Sequence, residues 1–241
     1  MITSTSNETI KDYMKLKQKK TRDEKGLYLV EGKHMTMDAI EARCVQEIIT
    51  TDGSFRADVP VTLVSDRVME KLAFTKTPQP YMAICKKQDN ALQTGGCRYL
   101  LLDGVQDPGN LGTMIRTALA FGYDQLILSP DCVDLYNDKV LRSTQGALYR
   151  MNIIREDLDH VIANLRAQGV HVVGTSLHKA KPLDDIKIYE RMAFIMGNEG
   201  QGMKEEILSM CDEALYIPIR DMESLNVAVA AGIIMQCYRG K

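Results

Sequence analysis

The chain has 241 residues, is 45% hydrophobic and 26% charged, lacks tryptophan, and carries a formal net charge of -2. That length allows one large domain or two small ones with a real core, and the near-neutral charge excludes a globally basic nucleic-acid binder, so any such signal is local. Six cysteines without a CxxC pair, and four histidines that do not cluster near them, fit neither a metal site nor a disulfide framework and point to reduced thiols in a cytoplasmic protein.

The chain begins MITSTSNETIKDYM, which lacks the apolar core of a signal peptide. A helix is expected from near Asn7, ending in KLKQKKTR (15–22), with five basic residues and no acid. Such a run is either a solvated helix end or a sequence-independent phosphate contact, and Lys17, Lys19, Lys20 and Arg22 are its candidate RNA-binding residues. Short alternating elements follow: strand 26–32, helix 34–42, strand 46–50, strand 61–64, helix 66–72 and strand 80–86. They make a small α/β domain over residues 1–90. The polar KQDNALQTGG (87–96) reads as a linker.

From 97 to 241 the alternation is more regular. Strands are expected at 99–102, 125–128, 151–154, 170–174, 192–196 and 214–217. Helices are expected at 111–121, 139–147, 157–168, 204–210 and 224–239. Apolar strands alternating with helices imply an α/β fold, with a mostly parallel sheet and helices on both faces. The last helix is apolar nearly all round, so a core position or a subunit interface is expected for it. Its longest apolar run, 227–235, is too short to span a bilayer.

Three stretches stand at strand-to-helix junctions, where open α/β sheets bind ligands. DPGNLGTMIR (107–116) has plain structural roles available: Asn110 as N-cap, tight-turn glycines, Arg116 as a surface charge off the apolar stripe. FIMGNEGQGMKEE (194–206) is dense in glycine, as close backbone approach to a ligand requires, yet is no P-loop, because Met203 stands where its Lys is needed and no Ser/Thr follows. In YIPIRDMESLNVAVAAGIIMQCYRG (216–240), Ser224 can N-cap the final helix.

Together, LDGVQDPGNLGTMIRTALAFG with NDKVLRSTQGAL (137–148), then MGNEGQG, then IPIRDMESLNVAVAAG resemble the three signature motifs of the SpoU/TrmH family of RNA ribose methyltransferases, in the SPOUT superfamily. SNETIK, the basic helix, LVEG and TPQPYMA resemble, more loosely, the ribosomal-protein-like RNA-binding domain that precedes many members. The resemblance implies a deep trefoil knot in the carboxyl-terminal part, a homodimer packed partly through the last helix, and S-adenosylmethionine bound among the knotted loops. Carried over by motif, Arg116, Asn110, Glu199, Ser224 and Asn226 form the catalytic group. Thr175, Ser176, Leu177, Gly197, Asn198, Gly200, Ile217, Pro218, Ile219 and Leu225 hold the cofactor. Arg142 and Ser143 are further RNA contacts, with a plain surface helix as the alternative. Two positions depart from the pattern. Asp138 stands where many members have proline, and the 219–223 loop looks one residue shorter and lacks its usual glycine.

The implied reaction is methyl transfer to a ribose 2′-hydroxyl, in ribosomal RNA first and transfer RNA second. A base methyltransferase on the same fold and a non-catalytic RNA-binding assembly factor are the alternatives. Arg116 is either general base or electrostatic stabiliser, and the charge that guanidinium groups retain at physiological pH favours the second role.

Overall fold

The computed structural model describes residues 1–240, in the order α1 (Glu8–Lys15), α2 (Lys19–Lys25), β1 (Leu27–Glu31), α3 (Lys33–Glu41), β2 (Val45–Thr50), β3 (Val61–Leu63), α4 (Asp66–Leu72), β4 (Tyr81–Lys86), β5 (Arg98–Leu102), α5 (Pro108–Ala120), β6 (Gln125–Leu128), α6 (Asp138–Thr144), β7 (Asn152–Arg155), α7 (Leu158–Ala167), β8 (His171–Thr175), β9 (Lys181–Pro182), β10 (Met192–Met196), α8 (Glu205–Ser209), β11 (Glu213–Tyr216) and α9 (Val227–Cys237). They fall into two compact units. The first comprises Met1–Asp89 with Tyr136–Tyr149, the second Asn90–Leu135 with residues 150–240. The expected division into 1–90 and 97–241 is therefore amended: part of a motif carried by the second domain's sequence, NDKVLRSTQGAL, packs with the first unit. No helix among the described residues is long and apolar enough to cross a membrane.

The first unit holds a four-stranded sheet in the order β1-β4-β2-β3, antiparallel except for the β2–β3 pair. Its core joins Ile10 and Leu16 to Leu29, Ile49, Val68, Leu72 and Met82; each such side chain contributes about 1.5–3 kcal/mol on burial. The inserted segment closes on this unit through aromatic packing. The Tyr136 ring lies 4.4 Å from that of Tyr28, which is 1% exposed, and the Lys87 ammonium stands 4.9 Å from the Tyr136 ring centre. Gly146 (φ +84°) passes so close to Asp38 that an added Cβ would lie 2.2 Å from its Oδ2.

The basic run does not form one open face. The first helix stops at Lys15, and Lys17 turns inward, donating to the carbonyls of Ala73 (2.7 Å) and Lys71 (3.4 Å) beside the Phe74 ring. Burial lowers its pKa. Arg22 is 6% exposed and donates to the carbonyls of Leu16 and Lys17 at 2.9 and 2.8 Å, satisfying groups that the end of α1 leaves over. Both residues are corrected from RNA contacts to structural cations. Lys19 pairs with Asp23 at 2.6 Å but stays 61% exposed, and Lys20 is 86% exposed. Arg142 pairs with Asp138 at 2.9 Å on the surface of α6. The Ser143 hydroxyl is occupied by its own helix, donating to the Lys139 carbonyl at 2.7 Å. Lys17→Glu is therefore expected to lower the melting temperature by several degrees, from a loss of about 1–3 kcal/mol. Lys20→Glu should leave melting unchanged and flatten the salt dependence of RNA affinity; calorimetry beside salt-titrated filter binding separates the two.

In the second unit all seven strands are parallel, ordered β7-β6-β5-β10-β8-β11-β9. Every residue of β5, β6 and β10 is buried, as expected of a sheet covered on both sides. One face packs Tyr99, Leu101, Ile127, Val172, Ala193 and Ile195 against Leu158, Val161, Ile162 and Leu165 of α7. Phe194, of opposite parity, meets the Tyr238 ring at 4.8 Å. From β5 the chain winds outward through β6 to β7, crosses to β8, and then sets β10 into the gap between β5 and β8. Connections leave β5 and β10 in opposite directions, so the switch point of the sheet lies between these strands. Helix α9 buries Ala228, Ala231, Ile234 and Met235 while Val229 stays 53% exposed. One side of the helix is thus buried within the chain and the other stays open.

Candidate active site

The loop leaving β5 builds the first wall. Asp107 caps α5, its carboxylate accepting from Asn110 N at 2.8 Å, with Pro108 in the first helical position, where its fixed φ and missing N–H cost nothing. Asn110 thus lies in the first turn rather than at the cap, and its side chain is free for other work. The second wall is the loop leaving β10. Asn198 pairs its main chain with Gly202 in both directions (2.9 and 3.0 Å). Its side-chain oxygen accepts from Gly200 N (2.9 Å) and Gln201 N (3.1 Å), while its Nδ2 donates to the Gly104 carbonyl at 2.7 Å. This residue, expected at the cofactor, commits its side chain to joining the two loops.

Glu199 is the hub. Its Oε2 accepts from Gln106 N at 3.0 Å; its Oε1 accepts from Asp107 N at 2.9 Å and from Asn110 Nδ2 at 3.0 Å. Burial pushes the carboxyl up, but the hydrogen bonds from Asn110, Gln106 and Asp107 outweigh it and hold the group below its ordinary value. Asn226, not Ser224, caps α9. Its Oδ1 accepts from Ala228 N (2.9 Å) and Val229 N (3.2 Å), and its Nδ2 donates to Asn110 Oδ1 at 2.9 Å. The two amides are therefore oriented without ambiguity. The cap forces Asn226 to present its NH2 to Asn110, whose oxygen must accept, and the Asn110 NH2 must then face the Glu199 carboxylate. Each amide nitrogen uses one N–H in this chain and keeps the other.

The structure thus brings Asn110, Glu199 and Asn226 into one hydrogen-bonded set. Arg116 stands further along α5, its side chain exposed and without a hydrogen bond or ion pair to any other described residue, and the Ser224 side chain is likewise exposed and unengaged. Among the cofactor candidates, Thr175 donates its hydroxyl to the Ile195 carbonyl at 2.9 Å, and Ser176 exchanges bonds with the main chain of His178 (3.0 and 3.1 Å). Leu177 is 63% exposed; Ile217, Ile219 and Leu225 are half-buried and Pro218 is exposed. These residues sit at the carboxyl ends of the adjacent strands β8 and β11, next to β10. Gly197 is required by the protein itself, since a Cβ there would meet the main chain of Gly202 and Met203. Four polar residues escaped sequence reasoning: Asp103, Ser129, Asp131 and Lys204. Asp103, polar yet 1% exposed at a strand's end, is announced by the Asp-Gly that closes β5.

Comparison with known proteins identifies the family. Residues 98–236 match the model of the SpoU rRNA Methylase family, and residues 7–83 match that of the MRM3-like substrate binding domain. The chain is 38% identical over 99% of its length, and 99% of the relative's, to the 23S rRNA (guanosine(2553)-2'-O)-methyltransferase RlmP of Bacillus subtilis. Among solved structures it resembles the AdoMet-bound rRNA methyltransferase from Sinorhizobium meliloti, with a TM-score of 0.89 and 29% identity over 97% of this chain and 95% of that one. A TrmH-family protein from Porphyromonas gingivalis is similar at a TM-score of 0.87 and 29% identity, over 97% and 98% of the two chains. With 139 of its residues in the catalytic family's match and a full-length relative, the chain belongs to the SpoU rRNA methylase family.

Proposed function

We propose that the protein methylates a ribose 2′-hydroxyl in 23S ribosomal RNA, using S-adenosylmethionine. The observation that carries this reading is the fixed Glu199–Asn110–Asn226 set, which leaves one N–H on each amide directed by its neighbours rather than by solvent. The near-complete coverage of an enzyme named for 2′-O-methylation of 23S rRNA supports the substrate, and makes the guanosine in that enzyme's name the first site to examine.

The residues present fit the cofactor. The 175–180, 197–202 and 217–226 loops offer exposed Leu177 and Met222 (63% and 73%), and the main-chain N–H groups of Leu177, Ile219 and Leu225 donate to no other described group. Apolar surface beside unspent main-chain donors is what an adenosine requires. When bound, the cofactor supplies an electrophilic methyl and a neutral thioether leaving group. The chain's own part is positioning and charge stabilisation. The spare N–H groups of Asn110 and Asn226 steady the ribose oxygen as its proton leaves. Arg116 holds the neighbouring phosphate and the developing alkoxide, and Ser224 offers a hydroxyl to the same nucleotide. Glu199, with three donors on its carboxylate and a lowered pKa, is a poor base at neutral pH and serves to orient Asn110.

The first unit, with Lys19, Lys20 and Arg142 on its surface, is read as the RNA-holding module. The trefoil knot implied by the resemblance is supported by the insertion of β10 between two strands already laid down. A homodimer is supported by the open apolar side of α9 at Val229, and a cytoplasmic location by the rRNA substrate in the name of the Bacillus subtilis relative. The test is transfer of labelled methyl to unmodified 23S rRNA, followed by alkaline hydrolysis. Label in alkali-resistant dinucleotides is expected. Label in mononucleotides would mean base methylation, and transfer only to tRNA would move the substrate. Binding of RNA without any transfer would favour an assembly factor.

A further inference from the structure

Three loops leave the carboxyl ends of the adjacent strands β6, β5 and β10, and one side chain outside the catalytic group reaches all of them. Lys204, which follows the 197–202 turn, donates its main-chain N–H to Asp103 Oδ2 at 2.8 Å. Its ammonium lies 2.8 Å from Asp131 Oδ2 and 3.3 Å from Asp103 Oδ1. Asp103 directly follows β5 and is 1% exposed; Asp131 belongs to the loop after β6. Ser129, in that same loop, donates its hydroxyl to Asp131 and accepts from Gly104 N at 2.9 Å. Gln106 adds a side-chain bond to the Asp131 carbonyl. The loop whose main chain holds Glu199 through Gln106 N and Asp107 N is thus itself held by this charged cluster. A buried carboxylate at Asp103 must be compensated, and the Lys204 main chain and ammonium supply that compensation.

We propose that Lys204 is a positioning residue for methyl transfer: by bridging Asp103 and Asp131 it fixes the separation of the 103–107 and 197–203 loops, and through them the direction of the Asn110 amide. It touches neither RNA nor cofactor. Its influence falls on the substrate-oxygen side of the site, because the Glu199 anchor lies between the loops it joins, whereas the 175–180 and 217–226 loops receive no bond from it.

This proposal rests on the methyltransferase reading, and the test keeps the two apart. In Lys204→Met, kcat should fall roughly 10- to 100-fold, the loss expected of a small misplacement of reacting groups. The Kd for S-adenosylmethionine, by calorimetry, and the KM for 23S rRNA should stay within about twofold of wild type, because neither is bound by this cluster. Lys204→Arg should recover most of kcat by restoring a cation between the two carboxylates. Asp131→Asn should fall in the same direction, with the double variant Lys204→Met/Asp131→Asn no worse than the poorer single, as coupled partners require. A readout independent of catalysis is hydrogen exchange in the ligand-free protein. Amides at 104–107 and 198–203 should exchange faster in Lys204→Met while those of α7 do not. Unchanged exchange together with kcat within twofold of wild type overturns the proposal. So does a loss of kcat matched by weaker cofactor binding and faster exchange throughout the second unit, which marks a general loss of fold. Wild-type protein that transfers no methyl to either 23S rRNA or tRNA, with the exchange difference still present, refutes the methyltransferase reading and with it the role in methyl transfer, and leaves only the holding of the two loops by Lys204.

Discussion

Gly197→Ala is expected to leave a folded protein whose methyl transfer has dropped by about 100-fold or more, the scale of loss that misplacing a catalytic group produces. The cause is a crossing of main chains. A Cβ on Gly197 would lie 2.2 Å from both the Gly202 carbonyl carbon and Met203 N, and 2.6 Å from the Gly202 oxygen. These are backbone atoms and cannot rotate away, so relief requires opening the turn that Asn198 and Gly202 close by pairing with each other. Overpacking of this kind costs about 1–3 kcal/mol, which a domain with a seven-stranded buried sheet survives. The function does not, because the turn carries both Asn198, which holds Gly104, and Glu199, which holds Gln106, Asp107 and Asn110. Gly200→Ala is the informative control. Its nearest neighbour would be Asn198 Oδ1 at 3.7 Å, so melting should match wild type, and any rise in the KM for S-adenosylmethionine would report a ligand contact at Gly200. Differential scanning calorimetry beside steady-state kinetics decides. A Gly197→Ala enzyme within threefold of wild-type kcat would refute the crossing argument.

The same turn shows how far the sequence could be read. Glycine density in GNEGQG reads as close approach to a ligand, but at Gly197 the approaching group is the protein's own main chain, which no local pattern reveals. Elements set by local periodicity were legible: helix 66–72 and strands 125–128 and 192–196 have the expected bounds. Caps were less so. Asp107 and Asn110 are both cap-competent, and the proline between them was the available signal for Asp107. Ser224 and Asn226 are equally competent, and only the bond from Asn226 to Asn110, across 116 residues of sequence, explains why Asn226 serves. The placement of β10 between β5 and β8, the two-residue β9, and the docking of Tyr136–Tyr149 on the first unit rest on distant partners. The basic run misled for a related reason. Composition counts charges, but Lys17 and Arg22 are recruited by carbonyls that α1 and the 71–73 segment leave unpaired.

Arg116→Ala should give the clearest separation of stability from catalysis. The side chain is exposed on α5, opposite the stripe formed by Leu111, Met114, Ile115 and Ala118, and no described residue bonds to it. Removing it should therefore shift stability by no more than about 0.5 kcal/mol. If it stabilises the negative charge developing at the ribose oxygen, its loss should cost about 10²–10³ in kcat, as the loss of one preorganised donor does elsewhere. Arg116→Lys discriminates between modes of action. A lysine keeps the charge but presents it as a point on a flexible stem, without the planar fork that engages two oxygens at once. An enzyme that uses Arg116 to bridge a phosphate and the reacting oxygen should recover less than about a tenth of the lost rate with lysine, because bidentate geometry is what the exchange removes. Near-complete rescue would mean that a positive charge alone suffices there. Full activity in Arg116→Ala would remove Arg116 from the reaction altogether and shift charge stabilisation onto the spare N–H groups of Asn110 and Asn226, whose orientation by Glu199 and by the cap of α9 is fixed without it.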